Sequence, residues 1–145
     1  MPDSPDDASL QQLVMRVAHE SRRRWIAELE PYGLSPHLAR ALGVVARDES
    51  GAGPRLSELA DRLHVTRRSA TEVVDGLAER GLVERRADPD DRRAAVVVLT
   101  GAGRALWETL EAARLQRHDA VFAGLTDPDR AELRRILTVV IAGLG

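Results

Sequence analysis

The chain has 145 residues, 21 basic against 23 acidic, and no cysteine; it allows one domain with a buried core but no disulfide, thiolate switch or sulfur-ligated metal. No apolar run approaches the ~20 residues of a membrane span, and no secretory signal precedes the first helical pattern, so a cytoplasmic location is expected. All 21 basic residues are arginine, so each can present a planar fork to a carboxylate, a phosphate or a guanine.

In chain order, Leu10, Leu13, Val14, Val17, Trp25, Ile26 and Leu29 keep helical spacing from Ser9 to Leu29, interrupted by the solvated Arg22-Arg23-Arg24. Pro31-Tyr32-Gly33 breaks that helix. Ser35 caps the next one, with Pro36 at its first position and Leu38, Leu42 and Val45 on its inner face. Glu49 to Pro54 reads as a flexible connector. Leu56, Leu59, Ala60 and Leu63 then form the apolar face of a short helix, with Ser57 as its expected N-cap and Glu58 and Asp61 in its first turn. His64-Val65-Thr66 interrupts the pattern, and Thr66 caps a further helix. That helix turns Ala70, Val73, Val74 and Leu77 inward and stops at Gly81, a residue suited to a left-handed cap. Gly76, inside it, costs ~1 kcal/mol against Ala and is expected to allow close approach to DNA or to the hairpin that follows.

Two helices joined by so short a turn cross steeply, which pushes the exposed side of the second outward. That side carries Arg67, Arg68, Ser69, Thr71, Glu72 and Asp75, groups suited to base edges and phosphates in a major groove. Leu82 to Arg86 and Ala94 to Leu99 read as two strands, joined by a loop of turn residues, Ala87-Asp88-Pro89-Asp90-Asp91-Arg92-Arg93. The order is that of a winged helix-turn-helix. Arginines beside acids at a hairpin tip suit a narrow minor groove, with the acids locking the guanidinium groups by bidentate pairing. A solvated hairpin whose charges only protect its edge is the alternative. Between Arg55 and Arg93 the nine arginines are matched by nine acids, so DNA binding rests on placement rather than on excess charge. The candidate DNA-contacting set is Ser57, Thr66, Arg67, Arg68, Ser69, Thr71, Arg86, Asp91, Arg92 and Arg93.

Thr100 caps a long helix reaching about Gly124, and Thr126-Asp127-Pro128-Asp129 opens a last one in capping-box style. Its stripe of Leu133, Ile136, Leu137, Val140, Ile141 and Leu144 is too broad for the little chain left to cover it. A second copy of the chain is the economical cover, joined through Leu10, Leu13, Val14 and Val17 together with Leu133, Ile136, Leu137, Val140 and Ile141; packing of the two termini within one chain is the alternative. The histidines His19, His37, His64 and His118 lack metal-ligand spacing. No nucleophile has an evident activating base, and no glycine-rich phosphate loop is present. The expectation is a protein with no catalytic residues, no metal and no cofactor.

The chain resembles the MarR family of bacterial winged-helix transcription regulators over essentially its whole length. The resemblance is carried by Leu56 to Leu63, Val65-Thr66, Leu77-Ala78-Glu79-Arg80-Gly81-Leu82-Val83, and above all Asp88-Pro89-Asp90-Asp91-Arg92-Arg93 ahead of Val98-Leu99-Thr100 and Gly103. It implies a mainly α fold with a small β-wing. The winged helix-turn-helix would span about 35–100, flanked by dimerisation helices at about 8–30 and 100–145. By the same resemblance the helix from Thr66 to Arg80 reads DNA, Arg93 enters the minor groove and Asp91 orients it. The function implied is that of a dimeric, ligand-responsive repressor of an inverted-repeat operator in double-stranded DNA. Its effector would be a small aromatic or phenolic anion in a cleft between dimer helices and winged domain, with Arg16, His19, Arg23, Trp25, Tyr32, His37 and Arg40 as candidates. Trp25 reads equally well as an interface anchor, and Tyr32 as a corner-packing residue. Two features depart from the family pattern: His64 stands where the turn usually has Gly, though His tolerates positive φ, and Glu72 stands where a basic residue is more usual. A metal-sensing winged-helix repressor and a winged-helix module used only for protein assembly are the alternative functions.

Overall fold

A computed structural model of the chain describes residues 8–145, and among these are six α-helices and one antiparallel hairpin. Helix α1 (Leu10–Leu29) opens on a reciprocal cap: Gln12 N–H donates to Ser9 Oγ (3.2 Å) and Ser9 N–H to Gln12 Oε1 (2.7 Å). A 3-10 turn at Glu30–Tyr32 follows, and Ser35 caps α2 (Pro36–Ala46). Then come α3 (Leu56–Leu63), α4 (Arg67–Glu79), β1 (Val83–Ala87), β2 (Ala95–Leu99), α5 (Gly101–Val121) and α6 (Asp127–Ala142). The chain forms two compact units, one up to Glu111 and one from Ala112 to Gly145, the boundary falling within α5.

In the first unit α2 packs on α3, α4 and β2. Leu42, Leu59, Val74, Leu77 and Val97 are fully buried there, as is Leu29 at the end of α1; each contributes ~1.5–3 kcal/mol. His64 takes a left-handed φ of 55° between α3 and α4, and Thr66 Oγ1 accepts from Ser69 N–H (3.1 Å) to cap α4. At the far end of α4, Leu82 N–H donates to Leu77 C=O (3.0 Å) and Gly81 N–H to Ala78 C=O (2.9 Å). That paired closure needs the positive φ of 68° that Gly81 supplies.

Two local expectations are corrected. Helix α3 begins two residues earlier than a Ser57 cap would give, at Leu56, because Glu58 then falls at the third helical position and accepts from Arg55 N–H (2.8 Å). Ser57 therefore lies inside the first turn and is not the cap, and Asp61 lies beyond that turn. Gly76 does not approach the hairpin: a Cβ there would meet Leu38 Cδ2 of α2 at 3.1 Å. Its small size serves the α2–α4 packing.

Strands β1 and β2 pair in the register Val83↔Leu99 through Ala87↔Ala95. The other edge of β2 is also used, since Val97 N–H donates to Pro54 C=O (2.9 Å) and Arg55 bridges Val96. The supposed connector thus ends in an extended segment fastened to the sheet. At the base of the hairpin Thr100 N–H donates to Leu82 C=O (3.1 Å), Thr100 Oγ1–H to Gly81 C=O (2.6 Å), and Gly103 N–H to Thr100 Oγ1 (3.0 Å). A Cβ on Gly103 would lie 1.9 Å from the Leu82 carbonyl oxygen, so only glycine lets α5 start against the hairpin. In the second unit Thr126 and Asp129 cap α6 reciprocally.

Gly103→Ala is expected to lose roughly 1–3 kcal/mol, the usual range for overpacking a close contact. Gly101→Ala, at the start of the same helix with nothing within 4 Å of its added carbon, should be neutral or stabilising. Urea unfolding of the two variants checks this; equal midpoints would contradict it.

Candidate nucleic-acid interface

The inward face of α4 is occupied by Ala70, Val74 and Leu77, which leaves the opposite side to solvent. Arg67, Arg68, Glu72 and Asp75 are exposed there, and Ser69 and Thr71 are half-buried. Thr66 and Ser69 hold each other through their hydroxyls (3.0 Å), and Thr71 Oγ1–H donates to Arg67 C=O (2.9 Å). Ser57 is half-buried in the first turn of α3.

Acids already engage several of the arginines. Arg68 Nε–H donates to Glu72 Oε1 at 3.3 Å, one turn along the helix. Arg85 reaches from β1 to Asp75 on α4 (2.7 Å), and Arg86 pairs with Glu84 two residues before it on the same strand. Arg67, Arg92 and Arg93 are exposed and have no side-chain hydrogen bond or ion pair among the described residues. Between Arg55 and Arg93, the arginines whose side chains have no partner among the described residues therefore sit at the start of α4 and at the tip of the hairpin.

That tip is held by a residue read from the sequence only as a turn former. Asp88 is 6% exposed. It accepts from Arg55 Nε–H at 2.6 Å and from Asp90 N–H at 2.9 Å, while its own N–H donates to Ala94 C=O at 3.0 Å. Asp91 accepts from Arg93 N–H at 3.0 Å through Oδ1. It thus holds Arg93 by the main chain, and no bidentate pair between Asp91 and the Arg93 guanidinium is formed. The Asp90 N–H, and after it the Arg55 guanidinium, hold the Asp88 carboxyl below the usual carboxylate range. Nothing local marks the Arg55–Asp88 pair, whose members are 33 residues apart; the signal available was an acid in the loop and an Arg just ahead of α3.

The seven effector candidates lie on α1, the 3-10 turn and α2. Arg16, His19 and Arg23 follow one another along exposed α1, where Arg23 pairs with Glu20 (3.3 Å). Trp25 is half-buried against the core, Tyr32 is exposed in the 3-10 turn, and His37 and Arg40 are exposed on α2. No hydrogen bond or ion pair joins any two of the seven among the described residues. No group of three or more His, Asp or Glu side chains among those residues is placed to hold a metal. Nor is any described helix long and apolar enough to cross a membrane.

Comparison with known proteins gives a consistent result. The MarR family profile matches residues 32–94. The HTH-type transcriptional repressor Rv2887 of Mycobacterium tuberculosis is 33% identical over 132 residues, covering 91% of this chain and 93% of that protein. Wild-type MarR from E. coli superposes with a TM-score of 0.71 at 26% identity, over 92% of this chain and 97% of the other. MepR of Staphylococcus aureus shares the fold at 18% identity in two solved states. Bound to DNA its TM-score is 0.77, over 94% of this chain and 99% of that one; bound to ethidium bromide it is 0.71, over 97% and 99%.

Because the Asp88 carboxyl is held low in the folded state, its contribution to stability is present above the ordinary carboxylate value, ~3.9. It is lost as the pH falls through the depressed folded value. Asp88→Asn should therefore lower the unfolding midpoint at pH 7, with the gap to the unaltered protein closing below about pH 4. A gap constant from pH 7 to pH 2 would contradict that origin.

Proposed function

The chain belongs to the MarR family, and we propose that it is a repressor holding an inverted-repeat operator as a two-fold dimer. The observation that carries this reading is the placement of the three arginines between Arg55 and Arg93 whose side chains have no partner among the described residues. Arg67 stands at the N-terminal end of a steeply presented helix, where side chains meet base edges in a major groove. Arg92 and Arg93 stand at the tip of a braced hairpin, where a narrow minor groove concentrates negative potential. Arg68, Ser69 and Thr71 extend the first contact, Thr66 and Ser57 offer hydroxyls toward phosphates, and Arg86 lies along the wing. Asp91, by tying down the Arg93 backbone, fixes where that side chain starts.

Dimerisation is supported by two apolar surfaces. On α1, Leu10, Val14 and Val17 are 83%, 52% and 54% exposed. In the second unit a groove of about 470 Å³ is lined by Leu115, Phe122, Leu133, Leu137 and Ile141, and Ile136 and Val140 stand exposed beside it. Exposed apolar residues in this number mark an interaction surface, and a two-fold partner gives each surface the same cover twice. The whole chain then acts as one functional module in the cytoplasm, the terminal helices setting the distance between two winged domains. A small aromatic or phenolic anion, held near Arg16, His19, Arg23, Trp25, Tyr32, His37 or Arg40, would change that distance and release DNA. That MepR, of the same fold, is solved with the aromatic cation ethidium bound supports a small-molecule ligand, though not its charge.

Replacing both Ile136 and Val140 by Glu puts unpaired charge into the expected seam, where burial is costly. Sedimentation should then show a monomer or an unfolded chain, whereas a normal DNA-binding dimer would remove this interface. Footprints should cover two inverted half-sites about one helical turn, roughly 10 bp, apart; full affinity for a single half-site would contradict the proposal. Arg67→Ala should cost ~1–3 kcal/mol and relax one base position. Arg93→Ala should instead weaken binding most on sites with A·T-rich flanks, and an equal loss on G·C-rich flanks would argue for a phosphate contact.

A further inference from the structure

The outer side of α4 carries a carboxylate where the proposed DNA would lie. Glu72 accepts from Arg68 across one helical turn, and the two side chains are 67% and 90% exposed. An ion pair this wet adds little to folding, so stability does not account for it. Close to phosphates, a carboxylate alone weakens binding to every sequence alike. Paired with an arginine it has a further use. In the major groove a guanidinium matches the O6 and N7 acceptors of guanine, and a carboxylate matches the N4 amino group of cytosine. Adenine also offers an amino group there, but its neighbouring N7 acceptor faces a carboxylate unfavourably.

We infer that Arg68 and Glu72 act as one reading unit over two neighbouring G·C pairs, Arg68 donating to guanine and Glu72 accepting from cytosine N4. Glu72 is then the residue that sets a preference for cytosine. The inference rests on the DNA-binding reading above. Both side chains stand on the exposed outer side of α4, one helical turn apart and held together by their ion pair, so they can be offered to neighbouring base pairs as one unit. Asp75, the next acid along the same side, is different, because Arg85 of the wing holds it at 2.7 Å. Glu72 also neutralises Arg68 on any sequence lacking the cytosine, which lowers attraction to unrelated DNA.

The test uses the full-length protein with Glu72→Gln and Glu72→Ala, whose exposed position leaves the core untouched; circular dichroism melting checks that they fold. Each is taken through selection from a randomised double-stranded DNA library. Affinities are then measured by fluorescence anisotropy on the selected site, on its single-pair variants and on unrelated DNA, at several salt concentrations. The unaltered protein should enrich cytosine at one position in each half-site. Glu72→Gln should move that preference toward adenine, the bidentate partner of an amide. Glu72→Ala should lose about tenfold in discrimination at that pair alone. Its binding to unrelated DNA should rise, with a log–log salt slope steeper by ~0.9 for the one freed arginine. A uniform gain on all sequences with base preferences unchanged would overturn the inference, leaving Glu72 as a charge balancer, and would leave the proposed function standing. Failure of the unaltered protein to bind any DNA would overturn both.

Discussion

A two-stranded hairpin is marginal in water by itself, so β1 and β2 have to be held by what surrounds them. Here the hairpin is held at three levels. Along one edge, Val97 N–H bonds to Pro54 C=O, and the Val97 side chain is buried in the helical core. At mid-height Arg85 crosses to Asp75 on α4. At the tip, Asp88 closes the loop through Asp90 and Ala94 and ties it to Arg55, the residue that precedes α3. The same Arg55 gives its N–H to Glu58 and so starts that helix. One residue thus joins the start of α3 to the wing tip, so the helix-turn-helix and the hairpin share a mechanical base.

The electrostatics follow from a surface whose charges are nearly balanced. A strongly basic domain would attract any DNA from a distance. In this chain acids hold Arg68, Arg85 and Arg86, which leaves cations without side-chain partners at the start of α4 and at the wing tip. For the proposed complex this arrangement favours recognition by placement over general attraction. It makes the positions of a few guanidinium groups matter more than the net charge of −2.

Local signals in the sequence were readable where one residue type has one structural use. Thr66 caps α4, His64 accepts a positive φ, Gly81 closes the helix, and the α4 face with Ala70, Val74 and Leu77 is the buried one. Readings failed where local options competed or where the partner was distant. Leu56 and Ser57 both suit a helix start, and the reach of Glu58 back to Arg55 decided between them. Gly76 has a neighbour on α2 that no local pattern names. Nine arginines and nine acids between Arg55 and Arg93 permit many pairings, and it was the family resemblance, not any local spacing, that set Asp91 beside Arg93. The fold instead spends Asp91 on a backbone bond and pairs Asp88 with Arg55. The close approach at Gly103 was equally hidden, because a glycine opening a helix looks ordinary until the Leu82 carbonyl is seen against it.

Whether the braced tip presents the wing arginines to DNA is decided by a double-mutant cycle over Asp88 and Arg93. It uses Asp88→Asn and Arg93→Ala, read as operator affinity at pH 7 where all four proteins are folded. If the brace positions the arginine, Asp88→Asn weakens binding when Arg93 is present and has little effect once Arg93 is gone, so the two losses are strongly coupled. Strictly additive losses, or an Asp88→Asn protein that binds the operator as tightly as the unaltered one, would contradict it.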